Sequence, residues 1–237
     1  LFSLGTVCLP LVFSLLSKFW DKGYVFAKTI AILLTSYLVW LLGSLKLVPF
    51  GQKSAWGIVV FLAIINLAIF KQKKRLEIKK LIKDYGRTWM AEEILFFSCL
   101  LFWSLIRGFQ PNIHGLEKYM DYGFINSILR TRFFPAKDMW MSGQTINYYY
   151  FGHLVAAVLT KLSGIDSAVT YNLMMATIFA LCFTAAFSLG ANLVSFSHKQ
   201  EKFIILGGVR SALLLALGGN LQLLWHFLKN KSLSSYW

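Results

Sequence analysis

Long apolar runs constrain the fold of this chain more than any other feature of its sequence. A helix needs roughly 20 apolar residues to cross a bilayer, and lipid cannot satisfy an open backbone. The runs therefore predict an all-α fold, a polytopic transmembrane helical bundle of about seven spans. The fifth run is short, so a tilted helix, a half-inserted helix or a helix extended by the tyrosines is an alternative to a plain full span. The two last runs contain candidate breaks near Asn192 and near Gly207-Gly208. The runs cover about residues 2–17, 24–45, 55–70, 91–107, 148–162, 168–195 and 203–228.

The composition agrees with a membrane protein. Hydrophobic residues make up 57% of the chain, the mean hydropathy is +0.60, and charged residues make up 14%, against about 25% in ordinary soluble domains. The net charge is +14, and the densest basic cluster lies between two apolar runs. Such cationic segments fix topology and contact anionic headgroups, so we expect membrane lipid as a partner and no nucleic acid. The chain begins at Leu1 inside one apolar run and stops at Trp237 just after another, which indicates truncation at both ends.

The basic cluster predicts the orientation of the chain. Residues 71–87 carry eight Lys and Arg residues against two acidic ones, and the positive-inside rule places such a segment in the cytoplasm. It is expected either as a short basic helix on the membrane surface or as a solvated loop. Counting spans from there places the loop 108–147 outside. The chain then divides into a three-span N-terminal segment with the basic loop, 1–90, and a core with the external loop, 91–237.

The acidic residues are expected outside the middle of every span. Asp21 falls in a predicted connection, and Glu92 and Glu93 fall at the cytoplasmic start of the fourth span. Ion-coupled transporters usually keep a carboxylate near the bilayer centre. This distribution therefore disfavours transport and favours chemistry at the outer membrane face.

The external loop carries the candidate catalytic residues. Glu117 and Asp121 are four residues apart, so a continuous helix places both on one face. Two close carboxylates shift each other's pKa and can supply a general base. An alternative is that Asp121 only caps a helix over about 122–130.

Three consecutive tyrosines end this loop in the run NYYYFGH. An interfacial aromatic belt accounts for one or two of them, whereas stacking on a sugar ring or hydrogen bonding to a phosphate uses all three. Arginines near the loop are candidates for binding phosphate. Arg210 is expected either inside the seventh span, where a charge is a functional candidate, or at its interface. No metal site is expected from the spacing of metal-ligating residues. The candidate binding residues are Asp138, Trp140, Asn147, Tyr148, Tyr149, Tyr150, His153, Arg130, Arg132 and Arg210.

Taken together, these motifs resemble the YYY or DUF2298 family of membrane proteins of Chloroflexi and archaea. The resemblance rests on Glu92-Glu93, Arg107 and the runs EKYMD, FINSILR, FFPAKDMW, GQTINYYYFGH and YNL, over about residues 90 to 220. The family usually has proline at the position of Met139, and proline or a similar residue at that of Tyr119. The resemblance implies an integral protein of the plasma membrane of a bacterium or archaeon.

That family is similar in turn to the GT-C glycosyltransferases, multispan enzymes that use a polyprenyl-phosphate sugar donor. In that fold, an acidic residue of the first external loop activates the acceptor. The resemblance assigns this role to Asp121, with Glu117 second. It implies an inverting sugar transfer at the outer membrane face without a cofactor, the need for a divalent metal being left open. The alternative hypothesis is a non-catalytic membrane protein, either a transporter or an assembly scaffold.

Overall fold

The computed structural model describes residues 1–72 and 75–219, together with positions 225 and 229. These residues form an all-helical structure, which confirms the predicted fold class. Among them, strand-like pairing is limited to one isolated bridge between Lys137 and Thr145. The helices are α1 (Phe2–Leu15), α2 (Phe26–Ser44), α3 (Gln52–Gln72), α4 (Arg75–Gly108), α5 (Leu116–Arg130), α6 (Phe151–Ser163), α7 (Ser167–Ser197) and α8 (Glu201–Leu217).

Three helices of the described residues are long and apolar enough to cross a membrane: Phe26–Ser44, Lys80–Gly108 and Ser167–Ser197. The other predicted spans also contain helices among the described residues. Each of these helices is either shorter than the roughly 20 residues that a crossing requires or less apolar than the three candidate spans. The prediction of seven spans is therefore confirmed for three helices. The end of the seventh predicted span, beyond residue 219, lies outside the described residues.

The basic segment is helical and continues into the fourth span. α4 runs without interruption from Arg75 to Gly108, which at about 1.5 Å per residue makes it roughly 50 Å long. The alternative of a solvated loop is therefore wrong from Arg75 onward, and the segment is not a separate short helix. Residues 73 and 74, with the side chains of 71–79, lie outside the description. Because α4 is continuous, its basic end and the loop after Gly108 lie at opposite ends of the bundle.

The fifth predicted span begins and ends on the loop side of the bundle. His153, in the first turn of α6, contacts Asp121 of α5, and Ser167, just after α6, contacts Tyr122 of the same helix. α6 has 13 residues and ends where Gly164 adopts the left-handed conformation, with φ 70°. The chain therefore enters α7 from the side of the loop, and α6 does not connect the two ends of the bundle. The helix starts at Phe151, so the tyrosines do not extend it.

α7 and α8 form an antiparallel hairpin with closely approaching backbones. A Cβ atom added at Gly190 would lie 2.9 Å from the carbonyl oxygen of Gly207, and one at Gly208 would lie 2.8 Å from that of Phe187. Both helices are continuous through Asn192 and Gly207-Gly208, so the predicted breaks are wrong. The small residues serve helix contact here rather than helix interruption.

The external loop is held on the ends of α2 and α3. The backbone N–H of Phe50 donates to the carbonyl oxygen of Arg132 at 2.8 Å, and the Phe134 ring fills the space above Gly43. Phe134 is buried with Ile128 and Leu154 in the main apolar core. The loop is therefore packed on the bundle through apolar side chains, which fixes the position of α5 relative to α6.

Candidate functional site

Helix α5 carries the two candidate carboxylates in its first half. It starts after Gly115, whose φ of 116° suits glycine, and the start has no side-chain cap. Asp121 thus lies inside the helix, and the alternative that it serves as an N-cap is wrong. Glu117 is exposed one turn before Asp121, as expected for two residues four apart on a continuous helix. Phe124 and Ile128 follow one and two turns after Asp121 on the same side of the helix, where both are buried.

Asp121 of α5 contacts His153 of α6 directly. The Oδ1 atom of Asp121 lies 3.0 Å from the Nε2 atom of His153. The Asp121 side chain is 37% exposed and that of His153 is 14% exposed. The Phe124 ring packs edge-on against the imidazole, with centroids 5.5 Å apart. Phe124 thus supports the imidazole while Asp121 remains accessible to solvent.

The two nitrogens of His153 have different environments. Its Nδ1 atom is buried and has no hydrogen-bond partner among the described residues. An imidazole that donates from Nε2 leaves Nδ1 as an acceptor, which avoids a buried N–H group without a partner. In this tautomer the Nε2–H group donates to Oδ1 of Asp121 and holds the orientation of the carboxylate. The Oδ2 atom of Asp121 is left to accept a proton.

The three tyrosines lie before α6, which begins at Phe151, so they do not occupy three faces of a helical turn. Tyr148 and Tyr149 are exposed, and the Tyr148 hydroxyl donates to that of Tyr149. This hydrogen bond, together with the charges of Asp121 and Glu117, raises the pKa of Tyr148 above its usual value. Tyr148 therefore remains neutral beside the carboxylates.

The third tyrosine closes an aromatic cleft between α2 and the start of α6. The Nε1–H group of Trp40 donates to the Tyr150 hydroxyl at 2.8 Å. The cleft has a volume of about 280 Å³. Asp121 and His153 do not line it, but Tyr148 lies between the cleft and the carboxylates and contacts Phe124, with centroids 6.2 Å apart. The lining residues are Tyr37, Trp40, Tyr148, Tyr149, Tyr150 and Phe151.

Asp138 organises a small hairpin of the external loop. Its Oδ1 atom accepts hydrogen bonds from the backbone N–H groups of Trp140, at 2.7 Å, and Met141, at 3.1 Å. The hairpin packs against α5, where Met139 occupies the space beside Gly123. Trp140 is exposed, as is Asn147, and neither lines the aromatic cleft. The structure thus gives Asp138 a local role in loop shape.

The candidate arginines are dispersed. Arg130 ends α5 with its Nε–H group on the carbonyl oxygen of Asn126, and Arg132 follows at the loop surface with its guanidinium over Phe133. Arg210 is exposed on α8, next to Ser211, which packs on Gly190 of α7. α5 contacts the other end of α7, roughly 30 Å away along the helix axis. The structure therefore does not bring Arg210 together with Asp121.

Arg107 has a positioning role that could not be predicted from its place in the sequence. Its Nε–H group donates to Oδ1 of Asn172 at 2.7 Å, and its remaining nitrogens donate to the carbonyl oxygens of Gln110 and Asn112. Tyr171 packs edge-on against Tyr122 of α5. These contacts join the end of α4 to the start of the loop and to the start of α7, beneath the candidate site.

A second polar region, which was not predicted from the sequence, lies at the opposite end of the bundle. Lys28 of α2 forms an ion pair with Glu93 of α4, at 2.5 Å, while Asp21 and Glu92 are 0% and 3% exposed. Asp21 lies in the connection between α1 and α2, as predicted, but it is buried and contacts α7. The prediction that Glu92 and Glu93 lie at the start of the fourth span is wrong, because the apolar part of α4 extends over Lys80–Gly108. The available signal was Lys28, a cation inside an apolar run that requires a partner. We call this region the buried carboxylate cluster: Asp21, Lys28, Glu92, Glu93, Ser188 and Asn192.

A family profile described as an uncharacterized membrane protein, DUF2298, matches residues 34–237. This chain belongs to that family. The match begins within α2 and includes Trp40, Asp121, the three tyrosines and His153. It also includes Glu92 and Glu93 but leaves Asp21 and Lys28 outside. No curated protein and no solved structure matches the chain, so the similarity to GT-C enzymes remains a prediction. The described residues contain no group of three His, Cys, Asp or Glu side chains placed to hold a metal ion.

Proposed function

We propose that this DUF2298 protein is a membrane glycosyltransferase that moves a sugar from a polyprenyl-phosphate donor to an acceptor hydroxyl. Transfer takes place at the membrane face that carries the external loop, in the plasma membrane of a bacterium or archaeon. The contact between Asp121 and His153 carries the proposal, because it leaves one carboxylate oxygen oriented and accessible on an otherwise apolar bundle. A carboxylate in this state is suited to act as a general base.

In the proposed step, the Oδ2 atom of Asp121 takes the proton of the acceptor hydroxyl. The acceptor oxygen forms a bond to the anomeric carbon, and the bond from that carbon to the phosphate oxygen breaks. The electron pair leaves with the polyprenyl phosphate, and attack from the opposite face inverts the anomeric centre. His153 positions Asp121 through the contact at Nε2, and Glu117 lies one turn before Asp121 on the same face of α5.

The aromatic residues beside Asp121 are proposed to bind the sugar. Tyr148 and Tyr149 expose ring faces and hydroxyls next to the carboxylate, and such surfaces combine stacking with hydrogen bonding. The cleft formed with Trp40 and Tyr150 lies at the end of α2, one of the candidate spans, where a lipid-linked donor can enter from the membrane. Arg130 and Arg132 are the cations of the loop available for the phosphate.

A non-catalytic role, as a transporter or an assembly scaffold, is the second candidate. The buried carboxylate cluster favours transport, because transporters place carboxylates inside the bundle. The separation of Asp121 from the aromatic cleft favours a binding surface. Both alternatives predict that removing the Asp121 carboxylate affects no chemical reaction.

The test is a transfer assay with the purified full-length protein in lipid and a polyprenyl-phosphate donor carrying a radiolabelled sugar. Asp121→Asn removes the base and keeps the shape of the side chain, so transfer should fall by about 10²–10⁴. Asp138→Asn is the matched control, since the amide oxygen can still accept the two backbone hydrogen bonds of the hairpin. Adding EDTA tests for a divalent metal. Equal transfer by wild type and Asp121→Asn would exclude Asp121 as the base and reject the mechanism.

A further inference from the structure

The buried carboxylate cluster contains more negative charge than its single cation compensates. The Nζ atom of Lys28 lies 2.5 Å from Oε2 of Glu93, and the Tyr24 hydroxyl donates to the same oxygen at 3.0 Å. This pair accounts for one positive and one negative charge. Asp21 and Glu92 remain, and two buried carboxylates without a cation are costly when both are ionised.

Hydrogen bonds distinguish these two carboxylates. The Oδ1 atom of Asp21 accepts from the backbone N–H of Gly23 at 2.9 Å and from Nδ2 of Asn192 at 3.3 Å. Its Oδ2 atom accepts from the Ser188 hydroxyl at 2.5 Å. Both oxygens of Asp21 therefore act as acceptors for protein donors.

Glu92 has the opposite environment. Glu92 is only 3% exposed. Neither its Oε1 atom nor its Oε2 atom has a hydrogen-bond partner among the described residues. Asp21 is close enough to interact with it. Two ionised carboxylates are both acceptors and form no hydrogen bond, but a proton on one of them makes it a donor to the other.

We propose that Glu92 is a proton-binding site whose O–H group donates to the Asp21 carboxylate. The proton enters from a cleft of about 290 Å³ that Glu92 lines together with Trp20, Arg87 and Glu201. Arg87 and Glu201 are exposed at this cleft and connect it to solvent at the end of the bundle remote from the external loop.

The charged groups around Glu92 are three acids and two cations. On α4, Glu93 is neutralised by Lys28 of α2, and Arg87 is exposed one to two turns away. α7 contributes the uncharged Ser188 and Asn192, which bind Asp21 instead. α8 contributes the exposed Glu201 at the cleft. The one cation buried in the cluster, Lys28, is thus already paired with Glu93.

Infrared spectroscopy of the full-length protein in lipid nanodiscs tests the proposal. A protonated carboxyl group has a C=O band distinct from that of a carboxylate, and we expect this band at neutral pH. It should shift when the protein is labelled with ¹³C-glutamate and not with ¹³C-aspartate, a result that requires no substitution. Glu92→Gln should abolish the band. Asp84→Asn, an exposed acid of the same helix, and Glu201→Gln, in the same cleft, should keep it.

Three results would overturn the assignment. Absence of the band at neutral pH would mean that both carboxylates are ionised. A shift with ¹³C-aspartate would place the proton on Asp21. Loss of the band when choline chloride is replaced by sodium chloride would assign the site to sodium rather than to a proton.

Discussion

Asp121 at the loop end and Asp21 at the opposite end are carboxylates with contrasting surroundings. The Asp121 side chain is 37% exposed and contacts one imidazole, whereas Asp21 is fully buried and accepts hydrogen bonds from three residues. An accessible carboxylate with a free oxygen can exchange a proton with a substrate. A saturated buried carboxylate instead sets the protonation of its neighbour. The proposed catalytic carboxylate and the buried carboxylates thus lie near opposite ends of α4.

The contrast between Asp121 and Asp21 requires that the external loop and the buried carboxylate cluster lie toward opposite sides of the membrane. The structure predicts opposite sides for Ser142, in the external loop, and Gln200, after α7. Single cysteines at these positions, in a protein whose Cys8, Cys99 and Cys182 have been replaced, should label in an all-or-none manner with an impermeant reagent. In intact cells only the Ser142→Cys protein should react, because the positive-inside rule places the loop outside. Labelling of both would mean that α6 crosses the bilayer.

The largest expected effect is on the free energy of unfolding, from a substitution in the buried carboxylate cluster. Lys28→Met keeps the length of the side chain but leaves Glu93 buried without its cation, so the free energy of unfolding should fall by about 3–5 kcal/mol. Lys53→Met, at an exposed position, should change it by less than about 0.5 kcal/mol. Denaturation in mixed detergent micelles measures both. Equal effects would show that the ion pair contributes no more than a surface lysine.

A substitution at His153, beside the external loop, should have a smaller effect than Lys28→Met, and it should change activity rather than stability. His153→Phe removes the donor to Asp121, and a hydrogen bond to a charged group contributes about 1.5–3 kcal/mol. Sugar transfer should therefore fall about tenfold or more through kcat. His153→Gln, which can offer an N–H group, should restore part of it. Loss of activity in both variants with a matching loss of stability would make His153 a packing residue only.

The smallest effect concerns Tyr148. Its hydrogen bond to Tyr149 is the main cause of its raised pKa, followed by the charges of nearby groups. Tyr149→Phe should therefore lower the pKa of Tyr148 toward its usual value of 10.0, so the phenolate appears at lower pH than in wild type. Ultraviolet titration of a Tyr148 difference signal follows this. An unchanged midpoint would assign the shift to Asp121 and Glu117 instead.

The sequence predicted the loop region better than the buried one, for physical reasons. Asp121 and His153 belong to polar clusters in a loop without apolar periodicity, where polar residues stand out. Asp21, Glu92 and Glu93 lie at the edges of apolar runs, and their burial depends on packing between α4 and α7. Tertiary contacts of this kind leave no periodic pattern in one chain.

The same limit applies to the spans. Apolar length correctly predicted where helices form. α6, however, is as apolar as a span, while His153 in its first turn and Ser167 just after its end both contact α5. Apolar composition reports burial, and it does not distinguish burial in lipid from burial under a loop. The continuous α4 was missed for the opposite reason, because its charged first half has no apolar run to extend.

The close α7–α8 hairpin has a consequence for how the protein assembles in lipid. Burying apolar surface gives little driving force between helices already surrounded by acyl chains, so association depends on van der Waals contact and close backbone approach. At Gly190 and Gly208 the helices approach to distances that leave no room for a Cβ atom. A methyl group at either position would act as a spacer and admit lipid between the helices. The glycines therefore form the contact surface through which α8 associates with α7 after both helices have been inserted into the membrane.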